Sequence, residues 1–320
     1  MHPLRIGTAD RQVFIKREDE LSSGVIGSKL RKYSSLIPAL LGNKVKQVGL
    51  IGGSNSNNCV AAIQLLKEVG IDSILFLREA GDAKLHGNSL FTKMLCPPEK
   101  CIEIDSQNWP NVNSIVQDWA QQQTLNGEKT VAIAEGAFHP DALPGAISLA
   151  SDIVSNEREH GTRFDNIYID SGTGLSAIGL LLGLSSHAPR SRNIIITLIA
   201  GTESEFRAQI TKARQWLPSN HINEDAYNAL SLTFLRPPSA ASYGSINKTI
   251  INKTISVARQ HGLLMDPIYS IKHFMAMEEH LQKIRENSSS LFIYNGGSLG
   301  LAGFQGQLAS ATETYCDESF

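Results

Sequence analysis

Short runs rich in β-branched residues alternate with longer helical patterns along the chain, and this alternation limits the fold more than any other feature. The runs that predict strands are Gln47–Ile51, Ser73–Leu77, Cys101–Ile104, Thr130–Ala134, Asn166–Ile169, Asn193–Ile199, Leu230–Leu235 and Leu291–Tyr294. The stretches whose apolar residues recur every three or four positions, and which therefore predict helices, are Asn58–Val69, Val112–Gln123, Pro144–Glu157, Ser176–Leu184, Glu205–Leu217, Ile246–His261 and Ile271–Glu286. Such alternation is typical of parallel sheets that helices cover on both faces, so the sequence predicts an α/β protein.

The chain has 320 residues, which is long enough for two domains. It contains no internal repeat, low-complexity tract or long linker, so a second domain must pack directly against the first. Ligands of open α/β sheets bind at the carboxyl ends of the strands. We therefore expect a site in a cleft between the packed domains.

Composition argues against several function classes. A net charge of -2 at pH 7 and a pI near 6.5 leave no basic surplus for binding a nucleic-acid backbone. No apolar stretch reaches the roughly 20 residues that cross a bilayer, so membrane insertion is not expected. The histidines and cysteines lack metal-ligand spacing, so no metal site is expected either. The cysteines are Cys59, Cys96, Cys101 and Cys316. Because they show no CxxC spacing, a reducing cytoplasm is the expected compartment.

Lys29 is the first candidate for chemistry. It follows a glycine turn, Gly27-Ser28, and precedes a predicted strand that ends in a loop rich in glycine, serine and asparagine, Gly52 to Asn58. A Schiff-base enzyme needs a fixed amine that faces a polar cradle for its cofactor. The alternative is an ordinary surface lysine in the basic run 29–32.

A second loop, Asp170 to Ser176, lies between a predicted strand and a predicted helix. Its backbone N–H groups and the positive end of the helix dipole can bind a phosphate without a cationic side chain. The loop lacks the Gly-Lys-Ser/Thr ending of a nucleotide-binding loop and the full GxGxxG spacing of a dinucleotide fold. It therefore favours a smaller phosphate ester.

The motifs occur together and in order. They are Lys16-Arg17-Glu18-Asp19, Gly27-Ser28-Lys29-Leu30-Arg31-Lys32, Gly52-Gly53-Ser54-Asn55-Ser56-Asn57-Asn58, Glu135-Gly136, Ser171 to Ser176, Tyr243-Gly244, Asp266-Pro267-Ile268-Tyr269 and Asn295-Gly296-Gly297. In this order the chain resembles the 1-aminocyclopropane-1-carboxylate deaminase and D-cysteine desulfhydrase family of pyridoxal-phosphate enzymes. The resemblance covers nearly the whole chain and implies a fold like that of the tryptophan synthase β-subunit.

The resemblance implies an architecture of two open, twisted, mainly parallel sheets covered by helices, with the cofactor cleft between two packed domains. The larger, cofactor-binding domain is expected to contain residues 1–40 and 150–320, and the smaller one residues 41–149. A homodimer that binds a small amino acid is implied as well.

The resemblance also assigns roles to individual residues. Lys29 is expected to form the Schiff base with pyridoxal 5'-phosphate and then to act as the base at the substrate α-carbon. Asn57 is expected to contact the phenolic oxygen of the cofactor. The other expected cofactor contacts come from the phosphate loop and from two residues near the ring, and these residues are Gly172, Thr173, Gly174, Leu175, Ser176, Ser270 and Asn295. The side chains expected to bind the substrate or to assist the reaction are Ser56, Asn57, Asn58, Tyr243 and Tyr269.

Departures from the family pattern bear on the substrate; they are Ser28, Asn55, Ser270 and Asn295. Ser270 stands where the deaminases have a glutamate that faces the pyridine nitrogen, and a hydroxyl favours a neutral ring. This favours β-elimination, with D-cysteine giving pyruvate, hydrogen sulfide and ammonia. The alternatives are the cyclopropane deaminase, which gives 2-oxobutyrate and ammonia, elimination from another small amino acid such as D-serine or chloroalanine, and a non-catalytic protein that binds pyridoxal phosphate.

Two further residues have open roles. Cys59 is either a thiolate favoured at a helix start or a small buried packing residue. Trp109 is expected to pack rather than to serve as a ligand platform.

Overall fold

The structure is a computed structural model that describes residues 1–6, 12–22, 27–79, 87–187, 189–218, 220–284 and 288–314. The strands are β1 (His2–Pro3), β2 (Val13–Arg17), β3 (Gln47–Gly53), β4 (Asp72–Arg78), β5 (Cys101–Ile104), β6 (Thr130–Ile133), β7 (Asn166–Ser171), β8 (Arg192–Leu198), β9 (Leu230–Leu235) and β10 (Ser290–Tyr294). The helices are α1 (Lys29–Gly42), α2 (Asn57–Glu68), α3 (Asn88–Leu95), α4 (Val112–Leu125), α5 (Leu143–Glu159), α6 (Leu175–Leu184), α7 (Glu203–Arg214), α8 (Glu224–Asn228), α9 (Lys248–His261), α10 (Ser270–Leu281) and α11 (Gln305–Thr314).

The strands form two sheets. The larger has six strands in the order β1-β2-β10-β7-β8-β9, and the smaller has four in the order β5-β4-β3-β6. Every neighbouring pair is parallel except β1 with β2. The central strands β7 and β10 are almost entirely buried because helices cover both faces. The predicted α/β class with two mainly parallel sheets is confirmed.

Each predicted strand and helix has a counterpart, with ends that differ by a few residues. The structure adds β1, β2, α1, α3, α8 and α11, which the patterns did not predict. Helix α10 ends at Leu281 rather than at Glu286, which lies outside the described residues, as does Cys316. The most consequential addition is β2, because it pairs in parallel with β10 and so places residues 13–17 beside a central strand of the larger sheet.

A charged network joins β2, α1 and α5. The Arg31 guanidinium donates to Glu18 at 2.5 and 2.9 Å and to Asp152 at 2.5 Å. Lys16 donates to Asp152 at 2.8 Å from the end of β2. Glu18 is buried, so removing one partner would leave an uncompensated charge, which typically costs about 3–5 kcal/mol. The network therefore fixes the first turn of α1, where Lys29 lies.

The expected domain boundaries fall within helices, at 40/41 in α1 and at 149/150 in α5. The division into residues 1–40 with 150–320 and residues 41–149 stays a prediction. Within the described residues, no helix combines the length and the apolar character needed to span a membrane.

Candidate active site

The carboxyl ends of strands from both sheets meet at one pocket of about 260 Å³. The smaller sheet contributes the loop after β3, and the larger sheet contributes the loops after β7 and β10. The pocket brings together most of the residues predicted from the sequence: Lys29, Ser56, Asn57, Asn58, Gly172, Thr173, Gly174, Leu175, Ser176, Tyr243, Tyr269 and Asn295. The position is the one expected for ligands of open α/β sheets.

Lys29 is the first residue of α1 and projects into this pocket. The turn before it is tied to the end of β10, because the Ser28 N–H donates to the Asn295 carbonyl at 3.2 Å. Gly27 has φ +56, and a Cβ there would lie 2.0 Å from the Asn295 carbonyl oxygen, so no larger residue fits. Glycine is thus what allows the turn to press against β10 and to hold the lysine in place.

The Lys29 amine makes no hydrogen bond or ion pair with the part of the chain that the structure describes. Desolvation in the pocket lowers its pKa, while the carboxylates of Asp170 and Asp266 act in the opposite direction. A lowered pKa increases the fraction of unprotonated amine, which is the nucleophilic form. The surface-lysine alternative is therefore wrong for this residue.

The loop between β7 and α6 forms a cradle of backbone amides. Helix α6 begins at Leu175 after Gly174, and no side chain caps its first amides. Uncapped N–H groups at a helix N-terminus attract an anion through their hydrogen bonds and the helix dipole. This arrangement suits a phosphate, as the sequence predicts.

Lys32 is a cation beside this cradle that the sequence analysis missed. Its Nζ donates to the Gly136 carbonyl at 2.7 Å, and the residue is only 4% exposed. Gly136 touches the phosphate loop, because a Cβ on it would lie 1.6 Å from Thr173 Oγ1. Burial, together with the charge of Lys29, lowers the Lys32 pKa to about 7. A bound phosphate would stabilise the protonated lysine.

Asn295 and Asp170 border the other side of Lys29. The Asn295 amide donates to Asp170 at 2.8 Å, and its Oδ1 is buried without a hydrogen-bond partner in the described chain. Burial raises the Asp170 pKa, which Lys29 and the Asn295 hydrogen bond partly oppose. Buried polar atoms are normally paired, so the orphaned oxygen indicates a place for a ligand's donor.

The loop after β3 presents donors from its helix start. The Ser56 hydroxyl caps α2 by accepting from the Cys59 N–H at 3.3 Å, which leaves its own proton free to donate. The Asn57 Oδ1 accepts from the Asn88 amide at 2.5 Å, so the Asn57 Nδ2 is left as a donor for a ligand. Asn88 is a positioning residue that sequence reasoning missed, because nothing in its local pattern marks it. Asn58 is buried, with its Oδ1 3.5 Å from the Tyr33 hydroxyl.

Tyr243 and Tyr269 form one wall of the pocket. Their hydroxyls are 3.0 Å apart and their rings meet edge to face. Desolvation raises the pKa of both phenols, so both remain protonated and able to donate at neutral pH. The Tyr269 ring also lies 3.0 Å from where a Cβ on Gly172 would stand, which joins this wall to the phosphate loop.

Ser270 is the predicted cofactor residue that does not line the pocket. Its hydroxyl is buried within hydrogen-bond distance of Asp266 Oδ2, at 2.7 Å, and of the Gly296 carbonyl, at 3.0 Å. Asp266 also accepts the backbone N–H groups of residues 268, 269 and 270. Ser270 and Asp266 together organise the turn that carries Tyr269.

The structure places both residues whose roles were open, Cys59 and Trp109, in packing positions. Cys59 is fully buried, and burial raises its thiol pKa to about 12, so the packing alternative describes it. Trp109 packs against the buried cluster that includes Phe76 and Val116, as expected, and it also lines the pocket. No cluster of metal-ligating side chains occurs in the described ranges.

The pocket fits pyridoxal phosphate. Lys29 offers an amine to its aldehyde, the α6 amides and Lys32 surround the position for its phosphate, and Asn57 and Asn295 hold unused polar atoms near the ring position. Lys32 also donates to the Gly136 carbonyl, whereas the orphaned Asn295 Oδ1 has no partner among the described residues and would gain one from such a ligand.

Comparison with known proteins agrees with this site. A protein from Pyrococcus abyssi (strain GE5 / Orsay), provisionally named 1-aminocyclopropane-1-carboxylate deaminase, is 26% identical over 90% of this chain and 85% of its own. D-cysteine desulfhydrase of Serratia proteamaculans (strain 568) is 22% identical over 93% of this chain and 90% of its own. The crystal structure of an ACC deaminase homologue superposes with a TM-score of 0.76 at 24% identity, covering 94% of this chain and 89% of that one.

A family model described as pyridoxal-phosphate dependent enzyme matches residues 3–296. The match includes both sheets and every residue that the structure brings to the pocket. Pyridoxal phosphate is therefore the cofactor, and the chain belongs to the family of pyridoxal-phosphate dependent enzymes.

Proposed function

We propose that the protein catalyses a β-elimination on a small amino acid, with D-cysteine as the foremost substrate and pyruvate, hydrogen sulfide and ammonia as products. The observation that carries the proposal is the unpaired Lys29 amine of lowered pKa, which faces the donors of the β3 loop across the pocket. The bound cofactor supplies the electron sink that stabilises negative charge at the substrate α-carbon.

The protein's own residues would divide the work. Lys29 removes the α-proton as a general base, and its lowered pKa increases the fraction of unprotonated amine available for that task. The Ser56 hydroxyl and the Asn57 amide hold the α-carboxylate, because both keep a free hydrogen-bond donor. Tyr269 donates to the Tyr243 hydroxyl, which leaves the Tyr243 proton free for donation to the departing sulfur.

Ser270 favours elimination over ring opening. Its hydroxyl is bonded to Asp266 outside the pocket lining, so this position supplies no carboxylate that would hold a proton on the ring nitrogen. Elimination tolerates a weaker electron sink, since the leaving group departs with the electron pair. The D-cysteine desulfhydrase among the relatives supports the same choice.

A second candidate is 1-aminocyclopropane-1-carboxylate deamination to 2-oxobutyrate and ammonia. It is supported by relatives of that name, including one from Bradyrhizobium sp. (strain ORS 278) at 24% identity. The ring-opening reaction requires a stronger electron sink. Because residue 270 is a serine rather than a carboxylate, the deaminase reaction is the second candidate.

The test is product analysis with the cofactor-loaded protein. D-cysteine, L-cysteine and 1-aminocyclopropane-1-carboxylate are supplied separately, and pyruvate, 2-oxobutyrate and sulfide are measured. Sulfide and pyruvate in equal amounts from D-cysteine support the proposal. Formation of 2-oxobutyrate alone selects the deaminase, and a loaded protein that turns over no amino acid is a non-catalytic binder of pyridoxal phosphate.

We also propose a homodimer, a cytoplasmic location and no nucleic-acid partner. The net charge of -2 supports the last point, because it gives no attraction to a phosphate backbone. Light scattering of the purified holoenzyme measures the oligomeric state directly, and a monomer at micromolar concentration would contradict the dimer.

A further inference from the structure

Two charged side chains at the pocket have no part in the reaction described above. Arg78 is the last residue of β4, and Glu135 follows β6. Strands β4 and β6 flank β3, so the two side chains stand on opposite sides of the loop that holds Ser56 and Asn57. Both line the same pocket as Lys29.

Neither charge is neutralised by the described protein. Arg78 and Glu135 make no hydrogen bond or ion pair there. Desolvation raises the pKa of Glu135, and the charge of Arg78 acts in the opposite direction. The Arg78 guanidinium instead lies over the Trp109 ring, 5.9 Å from its centre. An arginine stacked in this way is oriented, yet it keeps its N–H donors for a ligand.

We propose that the substrate ends in a second amino-acid head group, whose carboxylate binds Arg78 and whose ammonium binds Glu135. The inference rests on the proposed β-elimination and names the chemical class of its leaving group. A zwitterionic head satisfies both unpaired charges at once. A purely anionic end would be repelled by Glu135, and a purely cationic end by Arg78.

The corresponding reaction acts on a thioether that links two amino acids. The α-C–H bond breaks and Lys29 takes the proton; the β-C–S bond then breaks, and the sulfur leaves with the electron pair as the thiolate of the second amino acid. Protonation gives the free thiol. The remaining three-carbon enamine takes up one water and yields pyruvate and ammonia, so no oxidant or reductant is required.

A matched set of probes tests the head group. Lanthionine carries a second head with both charges, S-(2-carboxyethyl)cysteine lacks only the distal ammonium, and S-(2-aminoethyl)cysteine lacks only the distal carboxylate. All release pyruvate, so one assay gives kcat/KM for each. We expect lanthionine to exceed each truncated probe about 10-fold, as for a charge-assisted hydrogen bond.

The variants assign each charge to its residue. Arg78→Gln should remove the advantage of lanthionine over the probe without a distal carboxylate, and Arg78→Lys should restore part of it. Glu135→Gln should remove the advantage over the probe without a distal ammonium. If Arg78 and Glu135 instead close on each other as a latch, both variants slow all three probes equally, and the proposal is overturned.

A binding measurement separates this inference from the proposed reaction. The Lys29→Ala variant, saturated with added pyridoxal phosphate, lacks the base and holds the probes uncleaved. The fluorescence of Trp109 reports occupancy beside Arg78, with Trp109→Phe as the control. Tighter binding of lanthionine that depends on Arg78 supports the head-group site even if no probe is cleaved. Equal affinity for all three probes refutes it, whether or not D-cysteine is turned over.

Discussion

Replacing Lys32 by methionine should weaken the binding of pyridoxal phosphate far more than it weakens the fold. The lysine is 4% exposed and donates to the Gly136 carbonyl beside the phosphate loop. One hydrogen bond to a charged group contributes about 1.5–3 kcal/mol. Since about 1.4 kcal/mol corresponds to a factor of ten, the dissociation constant should rise roughly 10- to 100-fold.

Equilibrium dialysis of the apoprotein with pyridoxal phosphate and with pyridoxal measures this effect. The loss should appear only with pyridoxal phosphate, because pyridoxal has no phosphate for Lys32 to contact. Lys272→Met is the matched control: Lys272 is fully buried, donates to the Ala240 and Ser242 carbonyls at 2.6 and 3.0 Å, and does not itself line the pocket. Equal losses for both ligands, or an equal loss in the control, would refute a phosphate contact.

The same lysine predicts a pH dependence. Its pKa is about 7 in the free protein because burial and Lys29 disfavour the charge, and a bound phosphate raises the pKa. Binding therefore takes up a proton between the free and the bound pKa values. The contribution of Lys32 to the affinity for pyridoxal phosphate should be constant below about pH 7 and fall as the pH rises above it. Lys32→Met should abolish that part of the pH dependence.

The remaining predictions concern the supports of the pocket. Gly136→Ala should lower the thermal midpoint of unfolding much more than Gly70→Ala does. Both glycines have a left-handed φ, of +67 and +72, which alone costs about 1–2 kcal/mol, but only the Cβ added at Gly136 would meet Thr173. Equal midpoints of the two variants in calorimetry would contradict the close contact. Asn88→Ala should raise KM for the amino acid about fivefold, since Asn57 loses the hydrogen bond that orients it, worth roughly 1 kcal/mol; an unchanged KM would remove Asn88 as a positioning residue.

The sequence is informative where one type of pattern dominates. Strands β7, β8 and β10 each contain three or four consecutive aliphatic or aromatic residues, so their positions follow from the local sequence pattern. Strand β2 escapes prediction because its short Val-Phe-Ile-Lys-Arg sequence places charges at its end. These charges are neutralised only in the folded chain, Lys16 by Asp152 of α5 and Arg17 by Asp19.

The site is predictable where backbone geometry needs particular residues. The glycine loop before α6 and the turn before Lys29 require glycine, and the sequence therefore marks them. Nothing in the sequence distinguishes Lys32, Asn88 or Arg78 from other residues of the same type. Their burial and their neighbours depend on the fold. The family resemblance includes Lys32 in one of its motifs, but it assigned a role to none of these three residues.

The central claim is that Lys29 is the amine that binds the cofactor. Its direct test is the absorbance spectrum of the purified protein after addition of pyridoxal phosphate, compared with that of a Lys29→Ala variant and with the peptide that borohydride reduction labels. The account predicts a visible band in the native protein, its loss in the variant and a label on Lys29. A band of equal strength in the variant, or a label on Lys32 in the native protein, would contradict it.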